Sequence, residues 1–510
     1  MTTEEVRSYL DRIRQLDRDI RLLSHTAALL TWDQETYMPA RGIAERAEQL
    51  SFLEGQIHRR ITSTEMGEIL EALGSTDEQP LGDPSLESRD RALLRQLRRA
   101  YGRASKLPER LVTRLARTAS RGQAIWQKAR RDDDYNAFAP VLGEIIELQI
   151  ELAEHIGYEE HPYDALLDGF EPWMKTSSVE SVFEGLQRDL VPIVQAVADQ
   201  PRPDTSFLEG TFPVEKQRAF GEEVLRQMGY EFDRGRLDVS AHPFTIANGG
   251  DDVRITTRFH ESDPLSGLFS SVHEGGHALY ELGFPDDLKL TVLGEATSLG
   301  IHESQSRLWE NIIGHSRSFW TYYYPRMQDL FSDQLGSIDL DLFYRAINRI
   351  EPSLIRIEAD EVTYNLHILL RFNLERRIIE QDLSVGDLPE AWREESKRLL
   401  GVAPETDRDG VLQDVHWSTG GFGYFPTYAL GNLYAAQFYS AMRRDIVDLD
   451  DIVRRGELRV VLQWLRRNIH SRGSTMAAEE LCNHVTGEYL SPQYFVSYLK
   501  DKYRGVYDLP

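Results

Sequence analysis

Two histidines four residues apart with a glutamate between them, in Ser271-Val-His273-Glu274-Gly-Gly-His277-Ala-Leu279, are the residues of this chain best suited to chemistry. On a helix this spacing stacks His273 and His277 one turn apart on one face, so two imidazoles can reach a single metal ion. Glu274 is offset to the side of that pair, where its carboxylate can take a proton from an attacking water. Imidazole suits Zn²⁺, and the set points to metal-assisted hydrolysis of a peptide carbonyl. The surrounding sequence predicts the helix. Asp263-Pro264 supplies a capping side chain and a first-turn proline, and Leu268, Phe269, Val272, Leu279 and Tyr280 form an apolar face. Gly283 and Pro285 mark its end. Gly275 and Gly276 fall in mid-helix, at a cost of about 1 kcal/mol each relative to alanine. Close passage of substrate or of a neighbouring backbone is the expected reason.

A catalytic zinc needs a third protein ligand and an open position. Glu295 and Glu303 lie in the next helical stretch, and His302 would give a three-histidine site. Spacing alone does not choose among them. Further on, Arg356 sits in the apolar-rich stretch from Leu354 to Leu370, where a guanidinium needs a carboxylate. That partner is either structural, with Glu358 and Asp360 nearest in sequence, or the terminus of a substrate. Arg254, on a predicted edge strand, is a second cation for the same task. His416 and Tyr424 lie in a loop rich in glycine and aromatic residues, from which a donor can reach a developing oxyanion. Trp417, Phe422 and Tyr428 read mostly as core aromatics.

The elements that must position these groups are nearly all helices. Leu10, Ile13, Leu16, Ile20 and Leu23 mark a first one. Helical spacing recurs at about 41–58, 86–103, 107–130, 136–156, 178–198 and 214–229. After the motif it returns at about 294–313, 340–349, 354–382, 389–399, 427–446, 450–469, 476–486 and 491–503. Strand-like alternation is confined to Asp252–Phe259, with His242–Ile246 positioned to pair with it across Asn-Gly-Gly. The class is mainly α, with a small β-sheet forming one wall beside the metal helix. The turn-rich stretches 74–90, 200–213 and 401–409 read as loops within one body, so residues 1–510 are expected to form a single catalytic domain.

The net charge of −25 argues against nucleic acid or an anionic membrane as partner. No run of 18 apolar residues is present, so no membrane span is expected. The N-terminal residues are charged and amphipathic and lack the apolar core of a signal peptide. With Cys482 as the one cysteine, read as a buried apolar residue, a cytoplasmic location is the expectation. The cations are 8 lysines against 50 arginines, a composition that suits either high salt or a GC-rich genome.

Taken together the motifs resemble those of the M32 metallocarboxypeptidases, the thermostable carboxypeptidase (carboxypeptidase Taq) family. The likeness runs in order along the chain through Trp32-Asp33-Gln-Glu-Thr-Tyr-Met-Pro39, Asp252-x-Arg254-x-Thr256 and His273-Glu-Gly-Gly-His277. It continues in His302-Glu303-Ser-Gln-Ser-Arg307, Ile355-Arg356-x-x-Ala359-Asp360 and Gly410-x-x-Gln413-Asp414-x-His416-Trp417. The resemblance implies a deep groove like that of angiotensin-converting enzyme and neurolysin, a homodimer, and a divalent metal, zinc with cobalt as substitute. It implies Glu303 as third ligand and release of single C-terminal residues, with broad specificity, from peptides bearing a free C-terminus. Likeness to angiotensin-converting enzyme suggests Tyr424, with Tyr428 as fallback, as the oxyanion donor beside His416. Release of dipeptides or internal cleavage is the alternative on the same scaffold. A non-catalytic metal-stabilised binding protein is a third, and it leaves Glu274 without a purpose.

Overall fold

The first helix, Thr3–Thr36, opens on a reciprocal cap in which the Thr2 hydroxyl accepts from the Glu5 N–H and the Glu5 carboxylate accepts from the Thr2 N–H. The chain is seen in a computed structural model that describes residues 1–198 and 200–508. Leu10, Ile13, Leu16 and Ile20 of the expected stripe are buried. They pack with Met66, Ile69 and Leu70 of helix Thr64–Ala72 and with Leu93, Leu94 and Leu97 of helix Ser88–Lys106. This small core also takes in Leu288 and Leu293, just beyond the motif helix. A second and much larger core runs from Trp126 to Tyr507 and holds the motif helix.

Helices Ile43–Ile61, Glu109–Asp132, Tyr135–Ile156, Thr176–Ala198, Val214–Met228, Leu388–Leu400 and Pro426–Asp445 fall where apolar spacing predicts. Three predicted helices are broken. In 294–313 the chain is extended at Glu295 and Ser298, and the Ser298 hydroxyl then caps helix Leu299–Arg307, which widens into a π-helical segment, Leu308–Gly314. In 354–382 only Thr363–Ile379 is a long helix, because the Asp360 carboxylate accepts the N–H groups of Val362 and Thr363 and starts it there. In 450–469 Gly456, at φ 75°, separates Leu449–Arg454 from Arg459–Asn468. Helix Arg317–Leu330 was not predicted, since Pro325 sits inside it and its aromatic residues hide the period.

The sheet has three strands, β1 (Leu237–Val239), β2 (Thr245–Ala247) and β3 (Val253–Thr257), in the order β1-β3-β2. β2 and β3 form the expected antiparallel hairpin, with Thr245 opposite Ile255. β1 adds a parallel pairing, Leu237 opposite Ile255, too short to show as alternation. β3 is therefore the central strand, which corrects the edge position expected for Arg254.

Candidate metal centre and active site

The motif helix is Ser266–Glu281. Asp263 does cap it, accepting from the N–H groups of Leu265 and Ser266 at 3.0 and 3.1 Å, so the helix starts after Pro264 rather than on it. Gly283 has no left-handed backbone here. A Cβ on it would lie 2.4 Å from His470 Nδ1, so packing requires the glycine. The mid-helix glycines have a similar origin. A Cβ on Gly276 would stand 2.7 Å from the Cα of Ser306, and one on Gly275 would stand 2.5 Å from Leu225 Cδ2. It is the backbone of helix Leu299–Arg307, not substrate, that lies against Gly276. On its other side that helix meets Gly431 of helix Pro426–Asp445, where a Cβ would come within 2.5 Å of Glu303 Cγ. The ligand-bearing helix is thus held between two glycine-flattened surfaces.

This packing brings Glu303 to the histidines. Its Oε2 lies 3.6 Å from His273 Nε2 and 3.4 Å from His277 Nε2, and the three ligand atoms all fall within 4.8 Å of one another. A tetrahedral ion with bonds of about 2.0–2.1 Å needs ligand atoms about 3.4 Å apart, so the set fits a zinc-sized cation. The outer nitrogens are committed elsewhere. His273 Nδ1–H donates to Glu310 at 2.7 Å, and His277 Nδ1–H donates to the His302 carbonyl at 3.0 Å. Each bond fixes the ring so that Nε2 faces Glu303, where the neutral imidazole offers its lone pair to a metal. Arg307 Nε holds the other oxygen, Oε1, at 2.7 Å. Burial lowers both histidines, but Glu303 and Glu310 outweigh it at His273 and raise it to about 9, while His277 falls to about 3. The rival ligands are occupied: Glu295 pairs with Arg21, and His302 Nε2 meets Glu281 at 3.0 Å.

Glu274 is 7% exposed, and its Oε2 accepts from the Thr245 hydroxyl of β2 at 2.7 Å, so the sheet does form the wall beside the motif. Burial raises its carboxyl above the usual range. From Glu303 a line of contacts leads to the arginine. The Arg307 guanidinium lies 4.7 Å over the Tyr364 ring, and the Tyr364 hydroxyl accepts from Arg356 Nη1 at 3.0 Å. The partner of Arg356 is Asp414, at 2.8 Å, and not Glu358 or Asp360, which corrects the neighbours expected from sequence. Glu358 is exposed, and Asp360 is spent on its helix cap. Arg371 holds the other oxygen of Asp414 at 2.6 Å. Two guanidiniums thus share one carboxylate, leaving a net positive charge in a buried place. His416, Tyr424 and Tyr428 gather beside them: Arg356 lies 5.1 Å over the Tyr428 ring, and the Tyr424 ring is 5.3 Å from those of His416 and Tyr428. Burial pushes His416 down to about 4. Arg254 takes no part in this cluster. It forks onto Asp252 at 2.7 and 2.8 Å and stacks 4.2 Å over Trp32.

A family model described as carboxypeptidase Taq (M32) metallopeptidase matches residues 12–503. Thermostable carboxypeptidase 1 of Thermus thermophilus is 44% identical over 506 residues, covering 97% of this chain and 98% of that protein. Carboxypeptidase 1 of Bacillus subtilis is 39% identical over 504 residues, covering 99% of each. The chain belongs to the M32 metallocarboxypeptidase family. The M32 carboxypeptidase from Deinococcus radiodurans R1 shares its fold at a TM-score of 0.94 and 36% identity, covering 98% of this chain and 100% of that one. Pyrococcus furiosus carboxypeptidase does so at 0.92 and 38%, covering 97% and 99%.

An M32 metallocarboxypeptidase is a metal-dependent hydrolase, and sequence reasoning gave no role to the residues that hold its candidate site in place. Arg307 and Glu310 brace Glu303 and His273, Thr245 braces Glu274, and Tyr364 and Arg371 brace the Arg356–Asp414 pair. Arg307 and Glu310 carried a signal, since they lie one and two turns beyond Glu303 on the same helical face. Thr245 and Arg371 carried none, because their partners Glu274 and Asp414 are brought to them only by folding.

Proposed function

We propose that the protein removes single residues of broad specificity from the C-terminus of peptides, using Zn²⁺ held by His273, His277 and Glu303. The observation that carries this reading is the convergence of one Glu303 oxygen on two histidine nitrogens at tetrahedral-edge distances. Cobalt fits the same donors. When bound, the ion supplies Lewis acidity to the scissile carbonyl and to water. Glu274 takes the proton of the attacking water on its carboxylate and passes it to the leaving amine. Its burial favours the first of these steps by raising its proton affinity. The Tyr424 hydroxyl, with His416 nearby and Tyr428 as the other phenol, donates to the carbonyl oxygen as charge develops there. Arg356 grips the free C-terminal carboxylate, which the surplus charge of the Arg356–Asp414–Arg371 group favours. Arg254 is the lesser candidate for that grip, being already neutralised by Asp252. We read the working form as one domain and a homodimer, acting on peptides in the cytoplasm. The buried lone Cys482 is compatible with a reducing compartment.

Incubation with a peptide mixture, followed by mass spectrometry with and without chelator, tests the reading. A ladder losing one C-terminal residue at a time, abolished by chelator, is expected. Loss of two residues per step would instead make it a dipeptidyl carboxypeptidase.

A further inference from the structure

Two carboxylates lie wholly inside the protein and take no part in the chemistry above. Glu171 Oε1 accepts the Gly300 N–H at 2.5 Å and the Thr427 hydroxyl at 2.8 Å. The carbonyl of the preceding Phe170 accepts the Leu299 N–H at 3.0 Å, and the Phe170 ring stands 5.0 Å from that of Tyr424. Glu171 thereby joins the first turns of two helices, Leu299–Arg307, which carries Glu303, and Pro426–Asp445, which carries Tyr428. Both N-terminal ends favour a negative charge at this point, against burial, which pushes the Glu171 carboxyl up to about 7. Glu375, from helix Thr363–Ile379, accepts Trp417 Nε1–H at 2.7 Å, the Tyr163 hydroxyl at 2.6 Å and the Gly423 N–H at 3.0 Å. The same helix carries Tyr364 and Arg371.

The two anchors bracket one short segment. Gly423, immediately before Tyr424, is tied to Glu375, and Thr427, three residues after it, is tied to Glu171. Gly423 has φ 87°, and a Cβ there would stand 2.7 Å from the backbone at Leu166 and Leu167, so the segment has little room to relax. We infer that Glu171 and Glu375 are positioning residues for Tyr424, tying it on one side to the helix of the metal ligand Glu303 and on the other to the helix that supports the Arg356 cluster. The inference rests on the reading of Tyr424 as oxyanion donor. A carboxylate has only acceptors, so it compels several donors to converge in one arrangement, and a buried network of this kind specifies a single geometry. A donor displaced by about 1 Å loses on the order of 100-fold in rate.

A double-mutant cycle tests it. Glu375→Gln and Thr427→Val, the latter removing a donor to Glu171 without changing shape, are made in the parent and in the Tyr424→Phe background. Metal content and melting temperature are measured beside kcat and KM on a short peptide. Each change is expected to lower kcat at least fivefold in the parent, with KM and metal content nearly unchanged, and to alter kcat less than twofold in the Tyr424→Phe background. If the losses multiply in both backgrounds, or if KM, metal content and melting temperature fall together with kcat, the two glutamates are merely structural and the inference is overturned. Unchanged kcat in the parent overturns it as well. If Tyr424→Phe itself keeps full kcat, the donor reading fails first and the inference falls with it. Should Glu375→Gln not fold, Tyr163→Phe removes one donor to Glu375 and enters the same cycle.

Discussion

Glu274 and Arg356 are both buried and both ionisable, yet each is prepared for a different use. Among the described residues, Glu274 has one neutral side-chain partner, the Thr245 hydroxyl, and no cation in hydrogen-bond contact. Its second oxygen is left for a proton in transit. Glu274→Gln keeps shape and the Thr245 contact but removes the base, so metal content measured by elemental analysis should stay at parental level. kcat should fall by about 1,000-fold or more. A variant with substantial turnover would remove Glu274 from the role of base. Arg356, by contrast, is already bonded to Asp414 and Tyr364, and its capacity for a substrate carboxylate comes from the second cation, Arg371, on the same aspartate. Arg356→Ala should therefore lower kcat/KM about 10- to 100-fold for peptides with a free C-terminus, mainly through KM. The same peptides ending in an amide, where cleaved at all, should be affected little. Equal losses on both substrates would mean that Arg356 only holds Asp414 in place.

At the scale of elements, what the fold builds is an approach of two helices close enough for side chains as short as glutamate and histidine to come within reach of one ion. Gly276 and Gly431 allow it from opposite sides of helix Leu299–Arg307. Gly276→Ala places a methyl group 2.7 Å from the Ser306 Cα, and backbone cannot swing away as a side-chain end would. Overpacking of this kind costs about 1–3 kcal/mol. The helix should shift, weakening zinc affinity at least tenfold in equilibrium dialysis while far-UV circular dichroism stays parental. Unchanged affinity would show that the site adapts to the displacement. This contact also marks what the sequence could reveal. His273, Glu274 and His277 were legible because helical period puts them together within one element, and most helices were legible for the same reason. Breaks at Ser298, Asp360 and Gly456 were not, because a capping side chain or a left-handed glycine interrupts a helix without interrupting its apolar period. The glycine pair signalled a close approach but not its identity, and the pairing of Arg356 with Asp414 depends on a chain reversal no local pattern encodes.

At the scale of the whole molecule, the charge balance acts on a seam between the small core and the large one. Arg95 with Glu480, and Arg99 and Arg103 with Asp168, reach across it, while Arg21 with Glu295 and Arg89 with Asp287 tie the 287–295 segment to the helices of the small core. Of these, only Arg89–Asp287 is exposed on both sides, where such a pair contributes about 0–1 kcal/mol; the others are partly shielded from solvent. Against them stands the mutual repulsion of a chain with net charge −25, which acts over the entire surface. Added salt weakens both, but unequally. Between 0.01 and 0.15 M the screening length contracts from about 30 to about 8 Å, which removes long-range repulsion while leaving contacts at hydrogen-bond distance largely intact. Thermal unfolding followed in a sodium chloride series should accordingly show a melting temperature that rises by a few degrees over this range and then levels off. A continued rise into molar salt, with activity rising alongside, would mark the arginine-rich, lysine-poor surface as an adaptation to brine. A melting temperature that falls from the first addition would mean that the ion pairs, those along the seam among them, outweigh the repulsion.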